Sequence, residues 1–174
     1  IIFPGARIYK SILGSGVVIK DNTIVEESKI GNGSAIGPFA HLREGARLED
    51  EVILGNFTEI ARSKIGSRTI AKHFCYVGDS RVGRQANIGA GVVTANFDGT
   101  SKHSTLIKDN AFIGSDTILV APVVIGKYAK TGAGSVVTSR QNVKDGQVVV
   151  GIPARPLVNK NQPKTTPALR RGLR

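Results

Sequence analysis

The chain has 174 residues, with 24 Lys and Arg against 13 Asp and Glu, for a formal charge of +11. It is 40% hydrophobic but only 5% aromatic, with no Met or Trp and 21 glycines, so one domain-sized core must be assembled from many small, repeated side chains. The single Cys75 excludes an intramolecular disulfide and points to the cytoplasm, while the absence of a long apolar run or a visible signal peptide argues against membrane insertion and secretion.

The chain opens at Ile1, already inside a repeating pattern, which predicts a segment upstream. Aliphatic residues then recur every six positions: Ile2, Ile8, Leu13, Ile19, Val25, Ile30, Ile36 and onward to Val137. Many are followed by Gly, and a small residue occupies the fifth place, as at Ala6, Val17, Thr23, Ser34 and Ala40. A period of six fits neither an amphipathic helix nor an alternating strand. It predicts short strands joined by tight turns and stacked as a parallel β-helix, with little helix anywhere. Cys75 falls on a fifth place and reads as a small core residue rather than a nucleophile.

The irregular steps reveal the cross-section. Four steps are five residues long: 8 to 13, 25 to 30, 60 to 65 and 77 to 82. Their starts lie 17, 35 and 17 residues apart, so one coil is three hexads less one residue, and every shortened side falls on one face of a triangular prism. That face is termed C, and the two that follow it A and B. The long step from Thr94 to Ile107 also falls on face C and carries DGTSKHST as an inserted loop. Residues 1–157 are predicted to form the solenoid. The segment 158–174, VNKNQPKTTPALRRGLR, reads as a flexible, disordered basic tail because it has little to bury; nucleic-acid binding by it is the weaker reading.

Indexing the faces stacks side chains into columns. The third position of face B reads Asn56, His73, Ala90, Ser115 and Ala133, and its sixth reads His41, Glu59, Tyr76 and Val93; Asn87 ends face A just before face B begins. Coils stack at the strand spacing of about 4.8 Å, so His73, Glu59, Tyr76, Asn87 and Ala90 are predicted within two coils of each other. A histidine beside a carboxylate is suited to general-base work, although a lone surface histidine reads equally well as a solvated side chain. Beyond His73 the column turns small, leaving a shallow track roughly 15 Å long. The chain's three histidines, His41, His73 and His103, include no pair at metal-ligand spacing, and no metal is predicted.

Three stretches resemble the glucosamine-1-phosphate N-acetyltransferase domain of the hexapeptide-repeat acyltransferase family: IGPFAHLREGAR at 36–47, GNFTEIARSKIGSRTIAKHFCYVG at 55–78, and NIGAGVVTANFDGTSKHSTLIKDNAFIGSDTILVAPVVIG at 87–126. GIPARP at 151–156 is similar to a motif shared more widely among hexapeptide acyltransferases. The resemblance implies a left-handed coil, a homotrimer with active sites between subunits, and transfer of acetyl from acetyl-CoA to glucosamine 1-phosphate on the route to UDP-N-acetylglucosamine. It implies His73 as general base, Glu59 as the group that orients it, and the Ala90 N–H as oxyanion donor. It further implies that Arg43, Tyr76, Asn87, Asn96 and Lys102 contact the sugar phosphate, and that Ala90, Ser115, Ala133 and Arg155 line the acetyl-CoA site. The uridylyltransferase half found upstream in this family has no counterpart in these residues.

Three departures bear on the acceptor. The family's phosphate-contacting Lys is Ala61 here, with Arg62 beside it as a candidate replacement; NYDG reads NFDG, with Phe97; and LRPG reads LREG, placing Glu44 next to Arg43. Two alternatives therefore stand beside the first reading. One is an acetyltransferase for another amino-sugar phosphate such as galactosamine 1-phosphate. The other is a non-catalytic scaffold, in which His73→Ala changes nothing.

Overall fold

A six-residue period leaves room for one short strand and one turn, and the strands of this chain are indeed two to four residues long. In the computed structural model, which describes residues 1–157, they form three sheets of eight, seven and nine strands. The pairings between coils are parallel, and among the strands described Arg155–Pro156 alone runs antiparallel, closing the nine-stranded sheet against Val148–Val150, while an isolated antiparallel bridge joins Phe97 to Lys102 in the inserted loop. The eight-stranded sheet is face C, the seven-stranded sheet face A and the nine-stranded sheet face B. No helix occurs among the described residues, so none is long and apolar enough to cross a membrane. The expectation for 158–174 lies outside the described residues.

The aliphatic repeat positions point inward and meet their equivalents one coil above and below. Ile19, Ile36, Leu42, Ile60, Ile113 and Leu119 are completely buried, and burying one such side chain is worth about 1.5–3 kcal/mol. The fifth-place residues are buried as well, polar ones included: Thr23, Ser34, Thr58, Thr117 and Ser135 have no exposed surface. Small side chains are needed there because the prism narrows toward its corners.

Cys75 is buried at such a place, and that burial pushes its thiol up to about 11. The native chain is therefore expected to react slowly with iodoacetamide at pH 8 and at the rate of a free thiol in denaturant. An unfolded thiol ionises near pH 8.5, so the folded state holds the proton more tightly. Its contribution to stability is complete below that pH and is lost as pH rises toward 11. Denaturation at pH 8 and pH 10.5, compared with Cys75→Ala, measures this loss.

The sheets also fix the register on which the columns rest. Leu54 pairs with Ala71, Ile88 with Ile113, and Ile113 with Thr131. Counting two residues on from each stacks Asn56, His73, Ala90, Ser115 and Ala133 in one line. His41, Glu59, Tyr76 and Val93, counted as the end of face B, belong instead to the face C strands that follow the corner, where Glu59 lies between His41 and Tyr76 and Tyr76 pairs with Val93. Asn87 differs slightly from expectation: it belongs to the face B strand Asn87–Ile88 instead of closing face A.

Candidate functional site

The corner that follows the face B strands holds a groove of about 280 Å³ in which His73, Asn87, Ala90 and Ser115 meet, with Lys72 and Ile70 on its flank. His73 is exposed, and its ring makes no hydrogen bond to any described residue. Coils approach closely here: a Cβ on Gly89 would stand 2.6 Å from the Ser115 nitrogen, so glycine lets the backbone of one coil rest on the next. Ala133 continues the line one coil further, and Arg155 sits beyond it on the last strand of the same sheet.

The backbone donors along this line distinguish it from the equivalent line on face A. There, the N–H groups of the turn residues are capped by side chains of the next coil: Ser15 by Asn32 at 2.8 Å, Asn32 by Asp50 at 2.7 Å, Arg84 by Asp109 at 2.9 Å and Lys127 by Asp145 at 2.9 Å. On face B the neighbouring N–H groups of Gly89 and Gly91 are bonded to Ile113 and Phe74. Those of Ala90, Ser115 and Ala133 donate to no acceptor among the described residues. The difference is compositional: where face A stacks Asn or Asp over the turn below, this line stacks Ser115 and Ala133, and neither caps the N–H beneath it. What remains is a row of outward N–H donors beginning beside His73.

Face C carries a second, ionic cluster. Arg43 bonds Glu59 through Nε at 2.8 Å and Nη2 at 2.6 Å, and also meets Glu44. Arg62 forks onto both oxygens of Asp79 at 2.7 and 3.0 Å, reaches the Tyr76 hydroxyl at 3.5 Å, and touches Glu44 on its other side. Asn96 completes the chain by donating to Asp79. The fork holds the Asp79 carboxyl below its ordinary range and raises Arg62, so this network stays ionised at neutral pH and comes apart only in acid.

Its geometry follows from the corner. Glu44, Arg62 and Asp79 all adopt left-handed backbone, with φ of 52°, 49° and 48°, and stack on consecutive coils. Gly78 contributes too, since a Cβ there would collide with the Tyr76 ring and hydroxyl; its absence lets the tyrosine lie along the strand toward Arg62.

Glu59 was expected to orient His73, but its carboxylate is held by Arg43 and makes no bond to His73. The strand alternates its faces, so Glu59 shares the outer surface of face C with Arg43, whereas His73 projects from the preceding corner. Lys102 is separated further. It lines a depression with Arg62, Asp79 and His103 that shares no residue with the His73 groove. The inserted loop that carries it is cinched by Asp98, which accepts from the N–H groups of Thr100 and Ser101 at 2.8 and 2.7 Å and from His103 at 2.6 Å. These bonds, that from Ser101 foremost, hold Asp98 well below the usual carboxylate range.

Sequence reading missed Asp79, the hub between Arg62 and Asn96. The signal is present in the sequence, since Asp79 lies 17 residues after Arg62, one coil along the same corner of face C.

Comparison with known proteins agrees with this geometry. Residues 27–62 and 104–139 match the model of the bacterial transferase hexapeptide (six repeats). A bifunctional protein GlmU of Baumannia cicadellinicola is 45% identical over 94% of this chain and 34% of its own length, and one from Thermodesulfovibrio yellowstonii is 51% identical over 79% and 30%. The chain thus spans about a third of the length of these curated relatives. An Arabidopsis UDP-N-acetylglucosamine acyltransferase superposes with a TM-score of 0.62 at 17% identity, over 90% of this chain and 69% of that one, which establishes likeness of fold. At 45–51% identity over most of its length, the chain is homologous to the C-terminal hexapeptide acetyltransferase region of bifunctional GlmU.

Proposed function

We propose that this chain transfers the acetyl group of acetyl-CoA to the amine of glucosamine 1-phosphate. The observation that carries the reading is the alignment of the His73 ring with the uncapped N–H groups of Ala90, Ser115 and Ala133. An extended pantetheine arm presents amides along its length, and a row of free backbone donors at coil spacing suits it. At the head of the row, the Ala90 N–H is available to the oxygen that gains charge when the amine attacks the thioester carbon. Fixed donors of this kind are typically worth about 2.7–4 kcal/mol in the transition state.

The proton inventory needs one base. The attacking amine must shed a proton as the new C–N bond forms, and the exposed, unpartnered imidazole of His73 can accept it. The C–S bond then breaks, and the leaving thiolate takes up a proton. No covalent intermediate on the protein is required, consistent with the burial of Cys75. On the acceptor side, the guanidinium groups of Arg43 and Arg62, held in place by Glu59, Glu44 and Asp79, and the Tyr76 hydroxyl are the groups assigned to the sugar phosphate, with Asn87 and Asn96 beside them. Glu59 is assigned to holding Arg43.

Lys102 lines one depression with Arg62 and Asp79, and that depression shares no residue with the His73 groove; this supports a homotrimer in which the acceptor residues of one subunit meet the His73 groove of its neighbour. Arg155, on the last strand of face B, is the residue assigned to the CoA phosphates.

A thiol-release assay with acetyl-CoA and a panel of amino-sugar phosphates tests the reading. Glucosamine 1-phosphate is expected to give the highest kcat/KM. Preference for galactosamine 1-phosphate would transfer the assignment to that acceptor, and no thiol release with any member would leave the scaffold reading.

A further inference from the structure

Face A carries a row of like charges that the fold itself does little to relieve. Lys29, Arg47, Lys64 and Arg81 occupy the same outward position on four consecutive coils, each directly opposite the next, and all four are exposed. At the strand spacing the row is about 14 Å long, bounded by Ile12 below and Leu106 above. Like charges placed directly opposite each other destabilise a sheet. Only Lys64 has a carboxylate partner, Glu49 at 2.9 Å, an ion pair that also holds Glu49 below its ordinary range. The nearby Asp50, Asp109 and Asp145 are committed to capping turn N–H groups. Among the described residues Lys29, Arg47 and Arg81 make no ion pair.

The space beside the row is shaped to receive something. Gly31, Gly66 and Gly83 follow it on their coils, and two grooves of about 420 and 550 Å³ open there, sharing Glu49 and Lys64. Faces B and C differ in character: their outward columns include Ile53 and Ile70 on one, and Val93, Ile118 and Val136 on the other, suited to packing against protein. Face A is the charged side.

We propose that this row binds a linear phosphate polymer that carries no bases, as inorganic polyphosphate does. A line one cation wide fits a chain, whereas a flat anionic membrane would also be pressed against Asp50 and Asp109 beside it. Neither groove has an aromatic side chain in its lining, and sequence-tolerant binding of single-stranded nucleic acid draws on aromatic stacking platforms. Alternating lysines and arginines supply point charges and planar forks, both matched to phosphate oxygens. Bound phosphates would relieve the repulsion that the empty row retains.

The test uses the full chain, wild type and Arg47→Glu, with polyphosphate, heparin, oligo-dT and phosphatidylglycerol vesicles as probes. Polyphosphate is expected to bind the wild type most tightly, to lose affinity as salt rises, and to raise its Tm. Arg47→Glu, which lies outside the acetyl-transfer site, should weaken polyphosphate binding at least tenfold and leave acetyl transfer within twofold. It should also raise the Tm of the unliganded chain by roughly 2–4 °C, by breaking two of the three like-charge contacts. Unaltered polyphosphate binding by the variant would place the contact elsewhere on the chain and overturn the proposal. Tighter binding of heparin, oligo-dT or vesicles would overturn the assignment to a base-free phosphate polymer, and a variant no more stable than the wild type would remove the physical premise.

Discussion

Replacing His73 by Ala is expected to lower kcat for acetyl transfer by about 10²–10⁴-fold, the usual contribution of a positioned general base, with little change in the KM of either substrate. The substitution is well suited to isolating chemistry from folding. His73 is exposed and its ring has no hydrogen-bond partner among the described residues, so Tm should hold. His73→Gln keeps a polar group of similar reach but cannot accept the proton as imidazole does, and should be impaired to the same order. Because loss of the base leaves the Ala90 N–H in place, residual transfer above the uncatalysed rate should persist and rise with pH as free amine accumulates. A His73→Ala enzyme with wild-type kcat would remove the mechanism and return the ring to the status of a solvated side chain.

The second large effect falls on the acceptor. Arg62→Ala should raise KM for glucosamine 1-phosphate about 10–100-fold and leave KM for acetyl-CoA within about twofold, since a hydrogen bond to a charged group is worth about 1.5–3 kcal/mol. Two contributions add. The fork that would face the phosphate is lost, and Asp79, left without its ion-pair partner, presents negative charge to an anionic substrate, while Glu44 keeps only Arg43. Arg62→Lys should recover part of the affinity, because the charge returns without the bidentate geometry. An unchanged sugar-phosphate KM in steady-state assays would assign Arg62 to holding Asp79 alone, and the cation replacing the residue absent at Ala61 would have to be sought elsewhere.

The prism could be read in advance because its cause is arithmetic. Ile8, Val25, Ile60 and Val77 each begin a five-residue step, and a solenoid whose coil length is not a multiple of six must place the deletion at the same corner each time. The columns follow from the same arithmetic, which is how His73, Ala90, Ser115 and Ala133 came into line before any distance was known. Counting is blind to the hand of the coil, since either hand gives the same spacing.

Side-chain pairing was less legible. Glu59 and His73 are close by coil counting, yet Glu59 lies on a face C strand and His73 on the corner before it, and Arg43 claims the carboxylate. The uncapped donors on face B depend on what is missing from the coil above, a comparison between residues 17 to 25 apart that no local motif contains. Likewise, Arg62, Asp79 and Glu44 form one ladder only because the corner turns them all left-handed. Sequence alone therefore determined the period, the faces and the order of residues along each column, because these depend on backbone repeat. Tertiary structure decided which charges pair and which N–H groups stay open, because reach and competition between side chains act across coils.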